Sequence, residues 1–191
     1  MGGDGGRYPA AVTEARSHRK AHGDILLSRE QIAAGVQQLG SRLSADYAGK
    51  SPIFVGVLKG AFVFMADLVR AVDLDVEVDF MALSSYGRST ETSGVVRIVM
   101  DLTESVIGRH VVLVEDIVDT GLTLKYLEDH LAAAGAASVE FCALLVREGR
   151  QHAGTEIKYV GFELPPAFVV GYGLDAAEYG RNLPYVAEYL G

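Results

Sequence analysis

Residues 111–123 constrain this chain more tightly than any other stretch: Val-Val-Leu-Val-Glu-Asp-Ile-Val-Asp-Thr-Gly-Leu-Thr. Four consecutive apolar residues do not alternate between a core face and a wet face. They suit a strand buried on both sides, as in a parallel sheet. Two adjacent carboxylates, Glu115 and Asp116, follow them, and a third, Asp119, comes after Ile117 and Val118. The turn from Asp119 through Thr120, Gly121, Leu122 and Thr123 then suits the opening of a helix. Free backbone N–H groups and two hydroxyls there face an anion. Acidic groups thus sit beside a phosphate cradle, and like-charged partners need a mediator. A divalent cation or a ribose diol is the natural one. A generic strand followed by a helix does not call for three carboxylates at an apolar strand end.

The rest of the chain repeats the alternation of strand and helix. Ser28, with Glu30 and Gln31 close behind, predicts the N-cap of a helix running to about Ala48, broken by Gly49 to Pro52. Ile53 to Leu58 reads as a buried strand, Ala61 to Val72 as a helix and Asp75 to Leu83 as a strand. Val95 to Met100 and His110 to Val118 read as further strands, with Thr120 to Ala134 as the helix after the second. Val139 to Val146, Tyr159 to Leu164 and Phe168 to Tyr172 complete the strands, and Leu183 to Leu190 is a last apolar segment. This order predicts an α/β fold around a mostly parallel sheet flanked by helices, with ligands beyond the carboxyl ends of the strands. Lys59, Asp119 and Arg147 each follow an apolar run, so they belong near one rim.

Two segments differ in character. Ser84 to Gly94 is hydroxyl-rich and nearly free of aliphatic anchors, and it predicts a mobile loop. Met1 to Gly23 is rich in Gly, Ala, Arg and His and predicts a mobile extension, which leaves residues 24–191 as a single domain. His18 and His22 share a helical spacing, but no third ligand stands near them, so they are not assigned a metal.

The net charge of −8 argues against nucleic acid as the main partner while leaving room for a local basic pocket. No stretch approaches the ~18 apolar residues of a membrane span. No secretory signal is expected, since a basic region followed by an apolar one is lacking. The single cysteine, Cys142, lies inside an apolar run and reads as a buried thiol, consistent with a reducing, cytoplasmic setting.

The thirteen-residue run resembles the signature of phosphoribosyltransferases that use phosphoribosyl pyrophosphate (PRPP), in which two acids follow four apolar residues and precede an Asp-Thr-Gly turn. Five further segments extend the likeness to the hypoxanthine/guanine branch of the purine enzymes. They are Gly56 to Ala61, Ser84 to Gly87, Val160 to Glu163, Phe168 to Tyr172 and Asp175 to Arg181. The likeness spans about Ile25 to Leu190 and implies a type I phosphoribosyltransferase fold with a small hood and a mobile lid.

What the resemblance implies is specific. The reaction joins hypoxanthine or guanine to ribose 5-phosphate, giving IMP or GMP and pyrophosphate. Thr120, Gly121, Leu122 and Thr123 would hold the 5-phosphate, a geometry they share with ordinary helix capping. Glu115 and Asp116 would contact the ribose hydroxyls directly or through Mg2+. Asp119 would be the general base at the purine N7, or else cap the helix. Lys59 and Gly60 would receive pyrophosphate, with a peptide before the lysine that can be cis in this family, and Arg181 would bind pyrophosphate too. Ile117, Phe168 and Val169 would line and stack on the base, and Asp175 would hold a second magnesium. Ser84, Ser85, Tyr86 and Gly87 would belong to the lid. The resemblance further implies a homodimer or homotetramer.

One position departs from the family pattern. Where a lysine usually donates to the 6-oxo group, this chain has Arg147, followed by Glu148, which could draw the guanidinium aside. Arginine also donates to an oxygen and keeps the preference against a 6-amino group, with a wider and stiffer fork. The alternative to an enzyme is a regulator of the same fold that binds PRPP or nucleotides. The acidic charge and the joint presence of Lys59, Asp119 and Arg181 weigh against it.

Overall fold

Long apolar runs become adjacent parallel strands here because each is covered on both faces. The computed structural model describes residues 22–85, 96–119, 121–148 and 154–191. Its elements in chain order are β1 (His22–Leu27), α1 (Arg29–Asp46), β2 (Ile53–Leu58), α2 (Phe62–Ala71), β3 (Glu77–Ser85), β4 (Val96–Met100), β5 (His110–Val118), α3 (Leu122–Ala133), β6 (Ser138–Arg147), β7 (Tyr159–Leu164), β8 (Val169–Val170) and β9 (Val186–Tyr189).

Six strands form one sheet in the order β4-β3-β2-β5-β6-β7, and all neighbours are parallel except β3 and β4. Successive side chains of β5 feed opposite layers. Val112 and Val114 join the layer under α1 and α2, whereas Val111 and Leu113 join the layer under α3. All four are fully buried, each worth roughly 1.5–3 kcal/mol relative to exposure. β2 lies between β3 and β5, so the strand order reverses at β2 and β5. The carboxyl ends of those two strands therefore open into one crevice, where an α/β sheet binds its ligand.

The helix start expected at Ser28 is present. The Gln31 N–H donates to Ser28 Oγ at 3.3 Å, and the Ser28 N–H donates to Gln31 Oε1 at 2.8 Å, a reciprocal capping box. The first helix stops at Asp46, two residues before the expected Ala48. The Leu58–Lys59 peptide is cis.

A second sheet of three antiparallel strands, β1-β9-β8, forms the small hood. It uses His22 and Gly23, which sequence composition assigned to the extension. The rest of that extension, Met1 to Ala21, lies outside the described residues. The expected strand from Phe168 to Tyr172 shrinks to Val169 and Val170, because the backbone turns left-handed at Gly171 and Tyr172. Two residues of the expected lid are strand instead. Ser84 and Ser85 belong to β3, paired with Arg97 and Val96 of β4, because ladder hydrogen bonds outweigh their hydroxyl-rich composition. Tyr86 and Gly87 lie outside the described residues. Among the described residues, no helix is long and apolar enough to cross a membrane.

Candidate active site

The tip of β5 delivers Glu115 and Asp116 into the crevice, and burial dominates their chemistry. Among the described residues, Glu115 Oε2 is sealed from solvent without a hydrogen-bond partner. Burial, with the neighbouring Asp116 charge second, pushes its carboxyl well above the usual carboxylate range. Burial also raises Asp116, to about 6, although the Ile117 N–H donates to Asp116 Oδ1 at 2.7 Å and Arg181 pulls the other way. Two adjacent acids held at such cost, one with an orphan oxygen, suit a partner from outside the chain.

Gly60 explains how the second loop approaches them. A Cβ added there would lie 1.5 Å from Asp116 Oδ2, so only glycine lets the β2–α2 turn close over the carboxylate. Gly173 does the same for the hood, since its Cβ would meet the Gly60 carbonyl oxygen at 2.1 Å. Three segments distant in sequence thus meet at Asp116.

The helix after β5 starts without a side-chain cap. Its N-cap is Gly121, left-handed at φ 74°, and α3 runs twelve residues from Leu122. Asp119 is therefore not the cap residue. The first amides of α3 keep their donors directed at the crevice. A cavity of about 130 Å³ lies there, lined by Glu115, Ile117, Val118, Asp119, Gly121, Thr123 and Leu124. Thr120 lies outside the described residues. A larger cavity, about 770 Å³, runs between α1, α2 and the hood, and of the expected site residues it includes only Arg181. The chemistry-bearing groups favour the smaller one.

Arg147 ends β6 and turns toward this cavity. Its Nε lies 3.8 Å from Asp119 Oδ1, and its Nη1 donates to the Ala167 carbonyl at 2.5 Å. Its expected alternative partner was Glu148, but the guanidinium instead bridges the acid and the segment that carries Phe168. Phe168 is 56% exposed, and its ring meets Tyr189 edge-on at 5.6 Å between centroids. An exposed ring next to a half-enclosed guanidinium leaves an aromatic face open to a flat ligand. Val169, one residue on, is buried in β8.

A cationic group lies on the other side of Asp116. Arg181 Nη2 stands 2.7 Å from Asp175 Oδ1, and its Nη1 donates to the Gly173 carbonyl at 2.8 Å. Lys59 Nζ lies 3.0 Å from Glu178 Oε1 and 3.2 Å from Oε2. Sequence reasoning had not singled out Glu178. Its signal was the even spacing of charges at 175, 178 and 181, which gains meaning only once Lys59 is brought across 119 residues of chain.

The metal assignment needs adjustment. Among the described residues, no three acidic, histidine or cysteine groups are gathered as a ready-made metal cage. Asp175, expected as a ligand with Glu115 and Asp116, has one oxygen on Arg181 and accepts the Glu178 N–H at the other, at 2.7 Å. The orphan Glu115 oxygen and the Asp116 carboxyl still fit magnesium. That ion takes one or two carboxylates and completes its shell with water and ligand phosphates.

The chain is similar to known proteins over most of its length. The phosphoribosyl transferase domain family matches residues 22–177. The hypoxanthine-guanine phosphoribosyltransferase of Bacillus subtilis is 48% identical over 162 residues, covering 85% of this chain and 90% of the relative. That of Mycobacterium bovis is 44% identical over 186 residues, covering 93% and 92%. The crystal structure of a hypoxanthine phosphoribosyltransferase from Staphylococcus aureus superposes with a TM-score of 0.86 at 41% identity, covering 92% of this chain and 96% of that one.

Proposed function

The chain belongs to the phosphoribosyltransferase family, and we infer that its reaction is hypoxanthine-guanine phosphoribosyl transfer in purine salvage. PRPP gives its 5-phosphoribosyl group to hypoxanthine or guanine, yielding IMP or GMP and pyrophosphate. The bond from ribose C1′ to the pyrophosphate oxygen breaks, a bond from C1′ to the purine nitrogen forms, and the base loses a proton. The observation that carries this reading is the conjunction at one strand tip: an orphaned buried carboxylate and an uncapped helix start around one cavity, with a second, raised acid next in the chain.

Each residue then has a task. The amides from Gly121 to Thr123, with the hydroxyls of Thr120 and Thr123, hold the 5-phosphate against the positive end of α3. Glu115 and Asp116 hold the ribose hydroxyls, which supply the missing hydrogen-bond partner of Glu115. Asp119 takes the proton at the purine N7, and Arg147 beside it keeps that carboxylate paired while donating to the 6-oxo group. Phe168 stacks on the base, the backbone of Val169 meets its exocyclic edge, and Ile117 lines the cavity. Lys59, the Gly60 amide and Arg181 receive pyrophosphate. Glu115 and Asp116 would hold magnesium, which would neutralise charge on the donor. Ser84 and Ser85 at the end of β3, with Tyr86 and Gly87, which lie outside the described residues, are assigned to the lid that would keep water from the electrophilic sugar carbon.

Arginine at 147 carries a choice for 6-oxopurines over adenine. We place the catalytic unit in residues 22–191, in a cytoplasmic homodimer or homotetramer, as the family likeness implies. The test is nucleotide formation from PRPP and magnesium with hypoxanthine, guanine, xanthine and adenine in parallel. The expected result is product with hypoxanthine or guanine and none with adenine. A regulator that only binds PRPP would form none with any base.

A further inference from the structure

Two of the three groups assigned to pyrophosphate are held by one carboxylate, Glu178, which among the described residues has no further side-chain partner. Lys59 Nζ lies within hydrogen-bond reach of both Glu178 oxygens, at 3.0 and 3.2 Å, and Arg181 Nη2 lies 3.4 Å from Glu178 Oε2. We propose that Glu178 is an internal competitor for the pyrophosphate-binding cations: it holds Lys59 and Arg181, yields them to the diphosphate of PRPP, and reclaims them as pyrophosphate departs. The inference rests on the assignment of Lys59 and Arg181 to pyrophosphate made above.

Three features make Glu178 suited to this. A carboxylate presents paired anionic oxygens to N–H donors much as a phosphate does, so the two compete for the same groups. The pair is exposed, at 67% for Lys59 and 65% for Glu178, and exposed ion pairs are weak. A ligand of higher charge therefore displaces it readily. The backbone also presents the side chain deliberately. Ala176 and Tyr179 exchange hydrogen bonds at 2.9 and 3.0 Å around a two-residue turn. Both turn residues, Ala177 at φ 49° and Glu178 at φ 69°, are left-handed, where glycine or asparagine would be at ease. The Glu178 N–H donates to Asp175 Oδ2 at 2.7 Å, which fixes the turn beside Arg181. An ordinary surface turn has no need of a glutamate in that conformation.

The experiment compares the full chain with Glu178→Gln, Glu178→Asp, Lys59→Ala and Arg181→Ala. It measures the KM for PRPP, the inhibition constant of inorganic pyrophosphate and the KM for hypoxanthine. Glu178→Gln lowers the first two by about three- to tenfold, the scale of exposed ion pairs, and leaves the third unchanged. Glu178→Asp retains the charge and stays nearer the parent than Gln. Lys59→Ala and Arg181→Ala raise the PRPP and pyrophosphate constants. If those two variants weaken both ligands while Glu178→Gln leaves them equal or weaker, Glu178 is a structural partner and the inference is overturned. If neither Lys59→Ala nor Arg181→Ala moves either constant, the pyrophosphate assignment fails first and takes the inference with it.

Discussion

Asp116→Asn separates what the site costs the fold from what it gives the reaction. The Asp116 carboxyl is raised from 3.8 to about 6, first by burial, with Asp175 adding to the rise and the Ile117 N–H and Arg181 opposing it. A rise of two units corresponds to about 3 kcal/mol at 1.36 kcal/mol per unit. The sign follows from linkage. A group raised in the folded state gives stability that is complete below its unfolded value and lost as pH climbs through its folded value. The ionised acid therefore weighs on the native state above about pH 6 and not below about pH 4. Asparagine keeps an oxygen for the Ile117 N–H and never ionises. Its amide must still sit against the Gly60 backbone, which offsets part of the gain. The expected stabilisation near pH 7.5 is about 1–3 kcal/mol, or roughly 2–12 °C in Tm at 2–4 °C per kcal/mol for a chain of this size. It disappears near pH 4, while transferase activity is lost throughout. Thermal unfolding of both proteins across that pH range, without PRPP or magnesium, measures it. An Asn variant that is no more stable near neutrality, or equally stabilised in acid, would refute the reasoning.

Three further outcomes follow from the geometry. Gly60→Ala places a carbon on Asp116 Oδ2 and should lower kcat/KM for PRPP by about 10²-fold or more, read by steady-state kinetics against a nearly unchanged far-UV spectrum. Asp119→Asn removes the proton acceptor and should lower kcat by about 10²–10⁴-fold, with little change in PRPP affinity by calorimetry. Arg147→Lys removes the planar fork that bridges Asp119 and the Ala167 carbonyl. It should change the relative kcat/KM of hypoxanthine, guanine and xanthine by at least about threefold; identical ratios would mean that Arg147 does not read the base.

The sheet was legible because its central strands are buried on both faces, which forces the apolar runs of β2, β5 and β6 to be continuous in sequence. Residues that follow such runs must stand at the carboxyl rim, so Lys59, Asp119 and Arg147 were placed from pattern alone. The hood was harder to read. β8 has two residues, and β1 pairs with β9 through register shifts at His22, Ile25 and Leu27, so neither carries a period long enough to see. Phe168 sits in an apolar run yet is exposed, because it stands just before the buried pair Val169 and Val170 of β8 rather than within it. Ser84 and Ser85 look like loop by composition and are strand by pairing. Glu178 was invisible because its partner Lys59 is joined to it only through the fold.

The most direct measurement is the structure of the protein in complex with PRPP and magnesium. It should show the 5-phosphate on the amides of Gly121 to Thr123 and the ribose diol at Glu115 and Asp116, with the Glu115 oxygen no longer orphaned. PRPP bound elsewhere, in the larger cavity between α1, α2 and the hood for instance, with this strand tip untouched, would contradict the assignment.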